Sequence, residues 1–206
     1  MNSKSESNTN SSIPMQIRIG VTGHRNLENT SQLKRSIRDA LTKSLNAILQ
    51  INNKMTETLP TYRVITPLAD GADRLIAIEA MSVLNAKMEV VLPMIKEEYK
   101  ATFYSDESRK EFENLLTKAA GIHSLISKPL QEHFPGLDID KCRRAAYKVI
   151  GEHIVDNCDI LIVVWDGKKM DGESGTYVTL TYARIKKKPI IIIGSQPPND
   201  ISIELA

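Results

Sequence analysis

Beyond residue 15 the chain alternates short β-branched runs with longer stretches in which apolar residues recur every three or four positions. The short runs read as strands and the longer ones as amphipathic helices, and their alternation predicts stacked βαβ units around a mainly parallel sheet. The expected class is α/β, a Rossmann-like three-layer αβα fold. A first strand is expected over Ile17 to Val21, followed from about Ser31 by a helix with Leu33, Ile37, Leu41, Leu45 and Ile48 on one face. A second strand, Tyr62 to Thr66, stops at Pro67. A helix starting near Asp70 carries Ala72, Leu75, Ile76, Ala80 and Val83 inward and leads to a strand over Met88 to Leu92. Ser108 and Glu111 have capping-box spacing for a helix through Phe112, Leu115 and Leu116, and Ile122 to Ile126 is the next strand candidate. Lys128 to Asp140 reads as a loop, with Asp140 capping a helix that presents Cys142, Ala146, Val149, Ile150 and Ile154. Then come a strand from Asp159 to Trp165, a loop from Asp166 to Gly175, a helix from about Ser174 to Lys186 and a last strand from Pro189 to Ile193.

Composition narrows this picture. Met1 to Pro14 are almost wholly Ser, Asn, Thr, Lys and Glu, which reads as a disordered tail. Residues 15–206 read as a single domain, because 206 residues at 41% hydrophobic content suffice for one core and are short for two. With 27 basic against 25 acidic residues and a net charge of +2, the chain lacks the broad positive field a nucleic acid would select. Cys142 and Cys158 lack metal-type spacing, and no charged-then-apolar leader opens the chain, so a reducing, cytoplasmic setting is expected. No apolar run approaches the ~20 residues of a membrane helix. His123, His133 and His153 show no ligand spacing, and neither a metal nor a cofactor is expected.

Three loops carry candidate chemistry, each at the end of a predicted strand, where open parallel sheets bind their ligands. Gly20-Val21-Thr22-Gly23-His24-Arg25 could bring backbone amides and a planar guanidinium to an anion, or could be a tight βα turn with Arg25 solvated. In Asp70-Gly71-Ala72-Asp73-Arg74, Asp70 reads as a helix cap. The amides of Gly71 and Ala72 could meet an anion with Arg74 beside them, or Asp73 could complement the helix dipole while Arg74 pairs with a carboxylate. Asp166-Gly167 followed by Gly172-Glu173-Ser174-Gly175-Thr176 opens a helix with amides and two hydroxyls suited to a phosphate or ribose.

Together and in this order, the three loops resemble those of the SLOG superfamily, the Rossmann-like group that includes DprA-type and LOG-type proteins. The matching stretches are Ile19 to Arg25, Leu68 to Arg74, Val91 to Pro93 with Glu98-Tyr99, and Tyr147 through Thr176 into Tyr182-Ala183-Arg184. The resemblance implies a site for nucleotides or nucleotide-derived ligands such as ADP-ribose, surrounded by Gly23, Arg25, Gly71, Arg74, Gly175 and Thr176. It further implies a sensor module in prokaryotic defence or signalling, or, in some branches, hydrolysis of an N-glycosidic bond. LOG-type hydrolases resemble Gly-Gly-x-Gly-Thr-x-x-Glu, and nucleoside deoxyribosyltransferases likewise expect a carboxylate beyond the Gly-Thr pair. Here that place is taken by Thr179, so Glu173 or Asp166 would have to supply the catalytic carboxylate. Dimers are common among such folds, and a two-fold partner would complete the site. The expected partner is a nucleotide-derived small molecule, without membrane and without nucleic acid.

Overall fold

The computed structural model describes residues 15–28, 31–51, 59–169 and 174–205. The tail from Met1 to Pro14 lies outside them. Among the described residues, β1 (Gln16–Gly23), β2 (Thr61–Thr66), β3 (Lys87–Leu92), β4 (Gly121–Ser124), β5 (Ile160–Trp165), β6 (Ile190–Gly194) and β7 (Ile201–Glu204) form one sheet in the order β4-β3-β2-β1-β5-β6-β7. All neighbours run parallel except β6 and β7. The helices are α1 (Ser31–Asp39), which continues through a π-helical turn (Ala40–Ser44) into α2 (Leu45–Ile51), then α3 (Ala72–Leu84), α4 (Lys96–Lys100), α5 (Asp106–Leu116), α6 (Leu130–His133), α7 (Ile139–Asn157) and α8 (Thr176–Ile185). The fold is the expected α/β, Rossmann-like three-layer arrangement.

Burial follows from the period of two. In β5, Ile160, Ile162 and Val164 face the layer built by Leu33, Ile37, Leu41, Leu45 and Ile48 with Ile76 and Ala80 of α3. Leu161 and Val163 face the opposite layer, which holds Ile150, Ile154 and Val155 of α7 and Leu180 and Ala183 of α8. A central parallel strand covered on both faces needs an unbroken apolar run, and Ile160 to Val164 supplies it. In β1 the side toward α7 carries Gly20, where a Cβ would lie 2.8–2.9 Å from Ile154 Cγ2, Cys158 Cβ and Cys158 Sγ. Glycine at 20 therefore lets α7 approach the sheet, and burial pushes the Cys158 thiol up to about 11, leaving it inert at neutral pH.

Four expectations are corrected. The cap of α5 is Ser105, whose Oγ accepts from Ser108 N at 3.1 Å, and Ser108 and Glu111 turn to another task described below. Asp138, not Asp140, caps α7 by accepting from Lys141 N at 2.8 Å, while Asp140 pairs with Arg143. Val149 is 40% exposed, because α8 and the sheet cover only the neighbouring stripe of Ile150 and Ile154. The strand ending at Ile193 is not the last, since Pro197 to Asp200 reverse the chain and Ile201 pairs back onto Ile193. That edge strand is short and half polar, so its alternation is weak. It is tied to α8 by Arg184 Nη2 and Glu204 Oε1 at 2.6 Å.

From β1 the chain steps outward through β2, β3 and β4, then returns along α7 to place β5 on the other flank of β1. The order of strands thus reverses between β1 and β5, the place where such sheets open a crevice beyond their carboxyl ends. Replacement of Gly20 by Val should lower the unfolding free energy by about 1–3 kcal/mol, the usual cost of overpacking a close contact. Urea denaturation followed by circular dichroism measures it, and an unchanged midpoint would show that α7 has room to spare.

Candidate functional site

A cavity of about 290 Å³ occupies this crevice, at the low end of the range of small-molecule pockets. Its walls come from the end of β1 and the loop after it (Thr22, Gly23, His24, Arg25), the loop after β2 (Pro67, Ala69), Asp73 in the first turn of α3, Pro93 and Tyr99 after β3, Tyr147 and Gly151 of α7, and Trp165, Ser174 to Tyr177 and Thr179 around α8. The prolines that stop β2 and β3 end their strands at the cavity rim.

The first two loops meet through their backbones. His24 N donates to Val164 O at 3.2 Å, and Ala72 N donates to His24 O at 3.1 Å. Gly71 has φ 77°, and a Cβ there would overlap the carbonyl oxygens of His24 and Arg25. A Cβ on Gly23 would overlap Ala72 and lie 2.8 Å from Val164 O. Gly71 and Ala72 are therefore not cavity walls. The Ala72 amide, expected to meet an anion, is already engaged by His24 O, and the loop glycines serve the approach of one backbone to another. Gly20 likewise faces α7 and not the cavity.

Arg74 and Asp70 are the larger corrections. Arg74 is 3% exposed; its Nε donates to Leu68 O at 3.1 Å and its Nη1 to Glu111 Oε2 at 2.8 Å, Ser108 Oγ at 3.0 Å and Ser108 O at 3.1 Å. Asp70 does not cap α3. Its Oδ1 lies 3.0 Å from Arg74 Nη1 and accepts from Ser108 Oγ. The guanidinium also lies 4.7 Å above the Phe103 ring, which packs edge-on to Tyr99. Arg74 thus binds the start of α3 to α5 and builds the wall that Tyr99 presents to the cavity.

Arg25, a candidate ligand-binding cation in the first loop, is placed differently from Arg74. It lines the cavity, half-buried, with its guanidinium 5.1 Å from the centre of the Tyr147 ring, and no described carboxylate lies within ion-pair distance of it. His24 Nε2 accepts from Asp166 N at 3.1 Å when neutral and can instead pair with Asp166 Oδ1 at the same distance when protonated. Asp166 itself is exposed and outside the cavity. Its carboxyl is held below its ordinary value first by the Lys168 backbone N–H and then, against slight desolvation, by His24.

At α8 the chain turns on Gly175, φ 108°, no described side chain caps the helix, and the helix start lies at the cavity. Ser174, Gly175 and Thr176 all line it. Gly172 and Glu173 lie outside the described residues. Thr179, in the position where LOG-type patterns have glutamate, donates its Oγ1 to Gly175 O at 3.2 Å and fills the space left by Gly151. Trp165 and Tyr177 stack with centroids 6.1 Å apart along the same wall.

The sequence reading did not count Asp73, Tyr99, Tyr147, Trp165 or Tyr177 among the site residues. Asp73, for which the sequence offers a helix-dipole role as one alternative, has its side chain buried in the cavity wall, where Oδ2 accepts from Ala69 N at 3.3 Å. Burial pushes its carboxyl up to about 7, against the lowering influence of Arg25, the Ala69 N–H and Arg74. The signal for Tyr99 and Tyr147 lay in the stretches that carry the resemblance, which contain both.

Comparison of the chain with family models and with curated proteins returns no match. No helix among the described residues is long and apolar enough to cross a membrane, and no cluster of metal-ligating side chains occurs among them.

Two stability measurements separate the roles of these residues. Arg74→Ala should lower unfolding free energy by about 1–3 kcal/mol, because it removes a buried side chain packed on Phe103 and leaves the Leu68 carbonyl without its donor, whereas Arg25→Ala should leave the melting temperature nearly unchanged. Asp73 has a folded-state value above its unfolded one, so its stabilising contribution is complete below about pH 4 and lost as pH rises toward 7. Asp73→Asn should therefore gain stability over the native chain as pH rises from about 4 to 8, with a limit on the order of 4 kcal/mol. Parallel pH dependences of the two proteins would refute the assignment.

Proposed function

We propose that the protein binds a nucleotide or nucleotide-derived anion, of the ADP-ribose or second-messenger kind, as a sensor module of the SLOG type. One observation carries the reading: Arg25 on the Tyr147 ring and the N-terminus of α8 line one cavity at the β1/β5 switch point. The guanidinium and the helix N-terminus suit phosphate oxygens. The Tyr99, Tyr147, Trp165 and Tyr177 rings suit a base or sugar face. Thr179, tied to Gly175 O, leaves the described residues of the α8 wall without the carboxylate a LOG-type hydrolase uses, which favours recognition over turnover.

A second reading, cleavage of an N-glycosidic bond, gains from Asp73 and loses from Asp166. A buried carboxyl that exchanges its proton near neutral pH is suited to general acid or base work, whereas Asp166 stands outside the cavity. A DNA-binding role finds no matching charge.

Calorimetric titration with a nucleotide panel tests the first reading. Native protein should bind at least one member, and Arg25→Ala should weaken that binding at least about tenfold, near 1.4 kcal/mol, with an unchanged melting temperature. Equal affinity in the variant would remove Arg25 from the site. Chromatography of the same mixtures decides the second reading: intact nucleotides support the sensor, and free base whose release is lost in Asp73→Asn supports the hydrolase.

A further inference from the structure

Among the described lining residues the cavity has one carboxyl, Asp73, and one guanidinium, Arg25. Every element packed around Asp73 contributes to its surroundings. Arg25 faces it from the loop after β1, Tyr99 from α4, and Asp70 and Arg74 from the start of its own helix. Tyr147 of α7 in turn faces Arg25 and Tyr99, and His24 shares the wall while tied to Asp166. Arg74 is engaged by Asp70 and Glu111, so Arg25 is the cation placed to meet an incoming anion.

An anion seated on Arg25 acts on Asp73 in two ways. It neutralises the positive charge that favours the carboxylate, and it brings a negative charge and a water-excluding body beside it. Both favour the neutral acid. We infer that an anionic ligand enters this pocket together with a proton, which passes from solvent to the Asp73 carboxyl as the anion neutralises Arg25. This rests on the anion-binding reading above and assigns that site a pH response.

The sign follows from the free state. With its carboxyl near 7 before ligand arrives, Asp73 is mostly neutral at about pH 6 and mostly ionised at about pH 8. Below 7 the ligand therefore finds the favoured form ready and little proton is taken up. Above 7 each binding event requires a proton, and affinity falls as pH rises.

ADP-ribose is the probe, because its pyrophosphate has no proton to exchange in this range and cannot mimic the effect. Calorimetry in buffers of different ionisation enthalpy should show uptake of about half a proton at pH 7, rising toward one at about pH 8, with affinity falling up to tenfold per unit above 7. In Asp73→Asn the uptake should vanish and binding at about pH 8 should be tighter than in the native protein. Affinity independent of pH, or release of a proton, overturns the inference and leaves the binding reading standing. Absence of ADP-ribose binding at every pH overturns both. Carbon NMR of the native Asp73 carboxyl needs no variant: it should titrate near 7 in free protein and higher with ADP-ribose, and an ordinary aspartate value in free protein overturns the inference.

Discussion

The geometry of the site depends on a contact with no room for a side chain. The loop after β1 and the start of α3 touch backbone to backbone, Gly71 against the carbonyls of His24 and Arg25, Gly23 against Ala72, with Ala72 N held by His24 O. Because the Ala72 amide is bonded to His24 O, it is not available to a ligand. What the contact does instead is fix the directions of the side chains that follow it. Arg25 leaves the first loop and Asp73 leaves the second toward the same cavity, and neither could be placed there if the loops stood a methyl group further apart.

A second constraint holds this junction from behind. Arg74, next to Asp73, points away from the cavity into a nest made by Asp70, Ser108, Glu111, the Leu68 carbonyl and the Phe103 and Phe112 rings. A slide of α3 against α5 would take the buried guanidinium from several acceptors at once, so the cluster resists it. Two arginines one helix start apart thus divide the work. One is buried and paired with Asp70 and Glu111; the other lacks a carboxylate partner among the described residues and faces the cavity.

Much of the architecture was legible, because its signal is periodic. The β5 run, the α1 to α2 stripe and the α7 stripe are each fixed by burial, and burial repeats. The short antiparallel β7 was not legible, since Ile201–Glu204 offers too few alternations, and the caps at Ser105 and Asp138 lay a few residues before their expected places because several candidate oxygens sit side by side there. At the site, the three loops and their meeting place were readable from glycines at strand ends. The direction of each side chain was not. Whether Arg74 or Arg25 faces a ligand depends on Ser108 and Glu111, more than thirty residues away in sequence. Such a partnership leaves no local pattern.

The electrostatic balance of the cavity bears on how its two opposite charges are accommodated. A guanidinium enclosed without a counter-charge would be costly to bury, and a carboxylate enclosed beside hydrophobic rings would be too. Arg25 lies over the π-face of Tyr147, and Asp73 near it can be neutral or charged with little difference in free energy at neutral pH. A permanently ionised carboxylate in that place would hold the guanidinium closed to competing anions, and an apolar residue would leave it exposed to any anion at every pH. A carboxyl poised between its two forms places a charge near Arg25, without pairing with it, that varies with pH.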